Sequence, residues 1–194
     1  MLTLKKVDPT LTADSQPVDW GTAATVTVTV NADDDSPATG TVDLYEGDTA
    51  RGSATLDGTS ATFTLPAGLA GGEHTLTVSY SGNAYVKAAQ TTVTVTVNLP
   101  KAWNSSTAYN NGDKITYNGR VYLASWYTRK QAPGDPYGPW QELALTEDGT
   151  AIWTASRIFT PGDVVTYKDH VYKAKWWTRN QAPGDPYGPW TPIG

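Results

Sequence analysis

Ten residues, QAPGDPYGPW, occupy Gln131 to Trp140 and recur unchanged at Gln181 to Trp190. They sit inside a longer repeat. Trp103, Tyr109, Gly112-Asp113, Tyr117, Val121-Tyr122, Trp126 and Thr128-Arg129 are answered by Trp153, Phe159, Gly162-Asp163, Tyr167, Val171-Tyr172, Trp176 and Thr178-Arg179, at a constant offset of 50 residues. A fixed period of this length means one structural unit built twice. Each copy runs from its first Trp to its last over about forty residues, a size at which a core without cross-links is marginal. The chain has no cysteine, so the rings must supply the buried area. Trp103, Tyr117, Tyr122 and Trp140, with Trp153, Tyr167, Tyr172 and Trp190, are therefore expected in the two cores. Gly112-Asp113 and Gly162-Asp163 read as turns opening strands at Lys114 to Tyr117 and Val164 to Tyr167. Further turns at Asn118-Gly119 and Lys168-Asp169 would fold each copy into a small hairpin-based antiparallel sheet.

The chain before the repeat is written differently. From Leu2 to Val97 it is rich in Thr, Val, Gly and Asp, with the period-two alternation of half-buried antiparallel strands and no helical pattern. The clearest strands are Thr25 to Val30, Gly40 to Tyr45, Ser60 to Leu65, His74 to Tyr80 and Thr91 to Val97, with Leu2 to Val7 and Arg51 to Leu56 as further candidates. Turn clusters separate them, among them Asp33-Asp34-Asp35-Ser36-Pro37, Asp57-Gly58, Gly71-Gly72 and Ser81-Gly82-Asn83. About seven short strands at this spacing describe a β-sandwich. Gly40-Thr41-Val42-Asp43-Leu44-Tyr45, the run from Gly71 to Gly82 and the closing Thr-Val alternation resemble the bacterial immunoglobulin-like repeats of secreted and surface proteins. That resemblance implies a spacer or stalk. The expected fold is all-β, with an Ig-like sandwich over residues 1–98 and two aromatic-rich modules over 99–144 and 145–194.

Composition removes several functions. A formal net charge of -5 leaves no basic field for nucleic acid or anionic lipid. Without cysteine there is no thiolate metal site or cysteine nucleophile, and His74 and His170 are too few for most zinc or catalytic designs. No apolar run reaches the roughly 18 residues that span a bilayer. No nucleophile elbow, phosphate loop or metalloprotease motif is present. No enzyme, cofactor or metal is expected. Asp33-Asp34-Asp35 reads as a solvated loop rather than a calcium site, because spaced ligands are missing around it. His74 reads as an ordinary sheet position.

Eight Trp and eleven Tyr stand against two Phe, which favours rings that are partly wet. Two pairs are adjacent, Trp126-Tyr127 and Trp176-Trp177. On a regular strand neighbours point to opposite faces, so at least one ring of each pair is expected outside its core. An exposed flat ring suits the C–H face of a pyranose sugar, with stacking contributing about 1 to 3 kcal/mol per ring as for other flat ligands.

The pattern Ala102-Trp103, Tyr109, Gly112-Asp113, Tyr117, Gly119, Tyr122, Ala124, Trp126-Tyr127-Thr128, Pro133-Gly134 and Trp140, with Ala174-Lys175-Trp176-Trp177-Thr178 in the second copy, resembles the chitin-binding modules of bacterial chitinases, carbohydrate-binding module families 5 and 12. The resemblance implies a sugar-contacting face made of Tyr109, Trp126 and Tyr127 in the first module and Phe159, Trp176 and Trp177 in the second. Phe159 departs from the pattern by lacking a hydroxyl. Tyr137 and Tyr187, held in a rigid Pro-Gly loop, read as packing residues, and Arg129 and Arg179 as solvated or ring-stacked cations. The implied partner is chitin or a related insoluble β-1,4-glycan, bound by a monomeric, extracellular fragment of a larger protein. Two alternatives stay open: cellulose as the polymer, or an adhesion or structural tip of a surface or phage fibre protein.

Overall fold

The computed structural model describes residues 5–32 and 37–193, and the chain divides between Asn98 and Leu99 into two compact units. Among the described residues the regular elements are all strands, so the fold is all-β as expected.

The first unit contains β1 (Thr10–Ser15), β2 (Val18–Asp19), β3 (Ala24–Asn31), β4 (Thr41–Glu46), β5 (Thr49–Thr55), β6 (Ser60–Leu65), β7 (Gly72–Tyr80) and β8 (Ala89–Asn98). One sheet has the order β1-β3-β6 and the other β2-β8-β7-β4-β5. Alternation decides what each strand buries. In β3, Ala24, Val26, Val28 and Val30 are sealed in the core while Thr25 and Thr27 face water. Val93, Val95 and Val97 of β8 and Leu76, Val78 and Tyr80 of β7 meet them from the other sheet. A slip of one residue would exchange valines for threonines throughout, so register is strongly specified.

The five strands read most clearly from sequence are present, each within about two residues of its expected bounds, as strand ends commonly vary. Of the further candidates, Arg51 to Leu56 corresponds to β5. Leu2 to Leu4 lie outside the described residues, and Val7 makes only an isolated bridge to Val86. The Asp33-Asp34-Asp35 loop also lies outside them. β1 and β2 were not expected, and β2 owes its existence to a parallel pairing with the distant β8, Val18 opposite Val97.

His74, at the start of β7, is more than an ordinary sheet position. Its Nδ1 lies 2.7 Å from Glu46 Oε1 and its Nε2 2.9 Å from the Ala70 carbonyl, and Arg51 also pairs with Glu46. The Ala70 hydrogen bond raises the His74 pKa above its usual 6.5, desolvation opposes it, and the Glu46 carboxylate adds to the rise. Burial pushes Glu46 upward, but hydrogen bonds from His74 and Arg51 and the neighbouring positive charges outweigh it, leaving the pKa below 4.5. The His74 contribution to stability is thus complete below pH 6.5 and is lost as pH rises through the raised folded value; that of Glu46 is complete above pH 4.5 and is lost as pH falls through the lowered one. Thermal unfolding followed against pH should show the stability difference between the native chain and His74→Gln shrinking on the alkaline side. A difference that stays constant with pH would contradict the assignment.

In the second unit the first copy of the repeat forms β9 (Ala108–Tyr109), β10 (Lys114–Tyr117), β11 (Arg120–Ala124), β12 (Thr128–Arg129) and β13 (Trp140–Leu143). The second forms β14 (Ala151–Ile152), β15 (Ile158–Phe159), β16 (Val164–Tyr167), β17 (His170–Ala174), β18 (Thr178–Arg179) and β19 (Trp190–Pro192). The sheets are β10-β11-β13 with the ribbon β9-β12, and β14-β16-β17-β19 with the ribbon β15-β18. The β10-β11 hairpin closes through Asn118 at φ 49° and Gly119 at φ 75°, and β16-β17 through Lys168 at 50° and Asp169 at 64°. Positive φ at both central residues matches the twist of the flanking strands.

The cores repeat as closely as the sequence does. Tyr109 meets the Trp140 ring edge-on at 5.1 Å and 73°, and Phe159 meets Trp190 at the same distance and angle. Trp103 packs on Tyr117 at 5.6 Å and Trp153 on Tyr167 at 5.3 Å, again edge-on. Trp140 Nε1 donates to the Gln131 carbonyl at 2.8 Å and Trp190 Nε1 to that of Gln181 at 2.7 Å, which ties each Pro-Gly loop to its core.

Candidate functional site

Trp126-Tyr127 and Trp176-Trp177 occupy the bends between β11 and β12 and between β17 and β18. The alternation of a regular strand does not hold there, and both members of each pair leave the core. Ala124 and Thr128 are buried on either side of the first pair, as are Ala174 and Thr178 around the second. The bend is anchored on both flanks. Ser125 N–H donates to the Pro139 carbonyl and Lys175 N–H to that of Pro189, each at 2.7 Å. Thr128 Oγ1 donates to Gln131 Oε1 at 2.8 Å and Thr178 Oγ1 to Gln181 Oε1 at 2.9 Å. The identical decapeptides therefore act as struts beneath the rings.

The four rings are exposed to 44% (Trp126), 62% (Tyr127), 46% (Trp176) and 58% (Trp177). Each first ring carries a cation. Arg179 Cζ stands 5.7 Å from the Trp126 ring centre, and Lys175 Nζ 4.7 Å from that of Trp176. Tyr127 and Trp177 are the more open member of each pair. Such sites offer apolar, flat, rigidly mounted surface, suited to one face of a flat ligand.

Tyr109 and Phe159 do not belong to this surface. They are 7% and 1% exposed, and their rings close the cores against Trp140 and Trp190. The cause is the short ribbon that opens each module: Tyr109 pairs with Thr128, and Phe159 with Thr178, which turns the aromatic side chain inward. The Tyr109 hydroxyl is occupied inside, accepting from the Asn104 N–H at 2.7 Å. Arg157 lies 5.2 Å from the Phe159 ring in the second module.

The opposite correction applies to the loop tyrosines. Tyr137 is 64% exposed and Tyr187 90%, so neither fills a core. The loops expose them because Asp135 Oδ1 and Asp185 Oδ1 each accept the backbone N–H of the tyrosine two residues on, at 2.9 Å, turning the chain outward. Arg179 is ring-stacked, one of its two expected states, whereas Arg129 at the matching position is exposed. Among the described residues no group of three or more His, Cys, Asp or Glu is placed to hold a metal ion.

Residues 11–98 match the family model described as bacterial Ig-like domain (group 3), and residues 102–141 and 152–191 each match carbohydrate-binding module family 5/12. Among curated proteins, Endoglucanase A of Evansella cellulosilytica is 43% identical over 42 residues, which is 22% of this chain and 8% of that protein. The chain therefore spans under a tenth of that relative. A solved structure of Clostridium thermocellum CbhA fibronectin(III)-like modules superposes with a TM-score of 0.37 at 18% identity, covering 61% of this chain and 63% of that one.

Proposed function

Because the chain belongs to the bacterial Ig-like domains of group 3 over residues 11–98 and to carbohydrate-binding module family 5/12 over residues 102–141 and 152–191, we propose that it anchors a larger extracellular protein to an insoluble β-1,4-linked polysaccharide. Ig-like and carbohydrate-binding modules are non-catalytic, and in this reading the chain breaks no bond. The Ig-like domain spaces; the modules at 99–144 and 145–194 bind. Trp126 and Tyr127 in one module and Trp176 and Trp177 in the other stack on pyranose faces. The observation that carries the proposal is the eviction of both rings of each pair from a core that is short of apolar area. Leaving four large rings about half exposed forgoes roughly half of the about 1.5 to 3 kcal/mol that full burial of each would contribute, unless a ligand covers them.

The polymer of the main reading is chitin, as the resemblance of the modules to those of chitinases implies. A second reading, cellulose, is favoured by the likeness to a stretch of a protein named as an endoglucanase. Both polymers display flat pyranose faces; they differ in the acetamido group. Depletion of the whole chain from suspensions of chitin and of microcrystalline cellulose, side by side, separates them. Selective depletion by chitin is expected. Selective depletion by cellulose would transfer the assignment to the second reading, and retention by neither would sink the proposal in favour of an adhesion or structural role. Two sites in one chain raise the effective concentration for the second contact, so retention should greatly exceed that of either module alone.

A further inference from the structure

The two modules are joined by more than their connecting segment. Ser156 Oγ accepts the Glu142 N–H at 2.7 Å, Thr154 Oγ1 donates to the Glu142 carbonyl at 2.7 Å, and the Ile158 N–H donates to Gln141 Oε1 at 2.8 Å. Arg179 completes the seam. Its Nε donates to the Ser156 carbonyl at 3.0 Å in its own module, while Nη1 and Nη2 reach the carbonyls of Tyr137 at 3.4 Å and Gly138 at 2.6 Å in the other. The same guanidinium lies over the Trp126 ring. Beside it, Asn180 Nδ2 donates to the Tyr137 hydroxyl at 3.1 Å.

We propose that this seam is a further sugar subsite, in which Tyr137 from the first module and Asn180 from the second, positioned by Arg179, take the β-1,4-linked chain where it runs beyond the Trp126-Tyr127 pair. The inference rests on the function proposed above. The repeat provides the comparison that carries it. Tyr137 and Tyr187 sit in identical decapeptides; among the described residues Tyr137 is hydrogen-bonded by a side chain of the other module, and it remains largely exposed while held. A ring fixed at its hydroxyl with its surface still in water has lost rotamer freedom before any ligand arrives, which lowers the entropy lost on binding. The Tyr137 hydroxyl accepts from Asn180 and keeps its own proton to donate, and Asn180 keeps a carbonyl oxygen to accept, so the subsite offers one flat face and two polar groups to a hydroxyl-rich ligand.

The seam is also written once in the sequence. The counterparts of Gln141 and Glu142 are Thr191 and Pro192, which lack the side-chain carbonyl and the backbone N–H that the interface uses. The counterpart of Asn180 is Lys130. Both residues adopt positive φ, 56° and 62°, a conformation asparagine tolerates more readily than lysine, so Asn180 meets the turn and the seam together.

The test is calorimetric titration of the whole chain with β-1,4-linked dimers and hexamers of N-acetylglucosamine and of glucose, comparing the native chain with Tyr137→Ala, Asn180→Lys and Tyr187→Ala. Tyr137→Ala should weaken the hexamer about tenfold, as for loss of one stacking ring, and leave the dimer unchanged. Asn180→Lys should weaken the hexamer in the same direction without removing a ring, and Tyr187→Ala should leave both ligands unchanged. Equal losses in Tyr137→Ala and Tyr187→Ala, or a hexamer affinity untouched by Tyr137→Ala, would overturn the subsite while leaving the aromatic pairs in place. Failure of the native chain to bind any hexamer would overturn the subsite and the reading beneath it together. Which sugar series is bound identifies the polymer.

Discussion

A chain carrying Tyr127→Ala and Trp177→Ala together should lose retention on its polymer while unfolding at the temperature of the native protein. These are the more open rings of the two pairs, and neither belongs to a core cluster. Truncating them removes little packing, so the effect on stability should stay within about 0.5 kcal/mol, as for other surface substitutions. The effect on binding is far larger. At about 1 to 3 kcal/mol per stacked ring, two lost rings amount to at least about thirtyfold in affinity, and the avidity of two sites is lost with them. Either single variant should fall between, because one module remains competent. Depletion isotherms on the insoluble polymer, paired with thermal melts, check both halves. A folded double variant that binds as the native chain does would refute the site.

Trp140→Ala and Trp190→Ala should have the inverse effect, abolishing the fold of the module that carries the change. Each indole is nearly sealed, meets Tyr109 or Phe159 edge-on and hydrogen-bonds the carbonyl that begins the Pro-Gly strut. Removing a buried Trp costs about 3 to 5 kcal/mol, and a disulfide-free core of about forty residues has little more than that to lose. The first unit has its own core and should melt as before. Near-ultraviolet circular dichroism reports the loss directly, since the aromatic signal comes mainly from the modules. Native-like spectra from both variants would show that the modules do not depend on these indoles. Set beside the surface pair, the substitutions separate rings that hold the modules together from rings offered outward, although all lie within the same repeat.

Much of this division could be read from sequence where the signal was local and periodic. The valine–threonine alternation of β3 and β8 carried its own register, and the Asn118-Gly119 turn its own geometry. Trp140 and Trp190 were legible as core because a short cysteine-free unit had nothing else to bury. What escaped depended on distant partners. β1, with Asp14 and several polar neighbours, is held by its ladder to β3 rather than by any strong pattern of its own. Tyr109 and Phe159 were expected on the sugar face, and nothing near them in sequence announces the Trp140 and Trp190 rings that enclose them. Tyr137 and Tyr187 were expected to pack because Pro and Gly make their loop rigid, but rigidity fixes where a side chain points without burying it. At least one ring of each adjacent pair was expected outside its core, and the reason was incomplete: a bend, not strand alternation, sends both rings outward. The seam did leave a trace. Gln141-Glu142 against Thr191-Pro192, and Lys130 against Asn180, are places where two otherwise close copies part.

The most direct measurement is a set of nitrogen–proton correlation spectra of the indole groups, recorded while a soluble β-1,4-linked oligosaccharide is added. The chain has eight Trp, each with one indole N–H resonance. Shifts at Trp126, Trp176 and Trp177, with Trp20, Trp103, Trp140, Trp153 and Trp190 unmoved, are the expected result. Shifts confined to those five indoles, or none at saturating sugar, would contradict the claim that the evicted aromatic pairs are the binding faces.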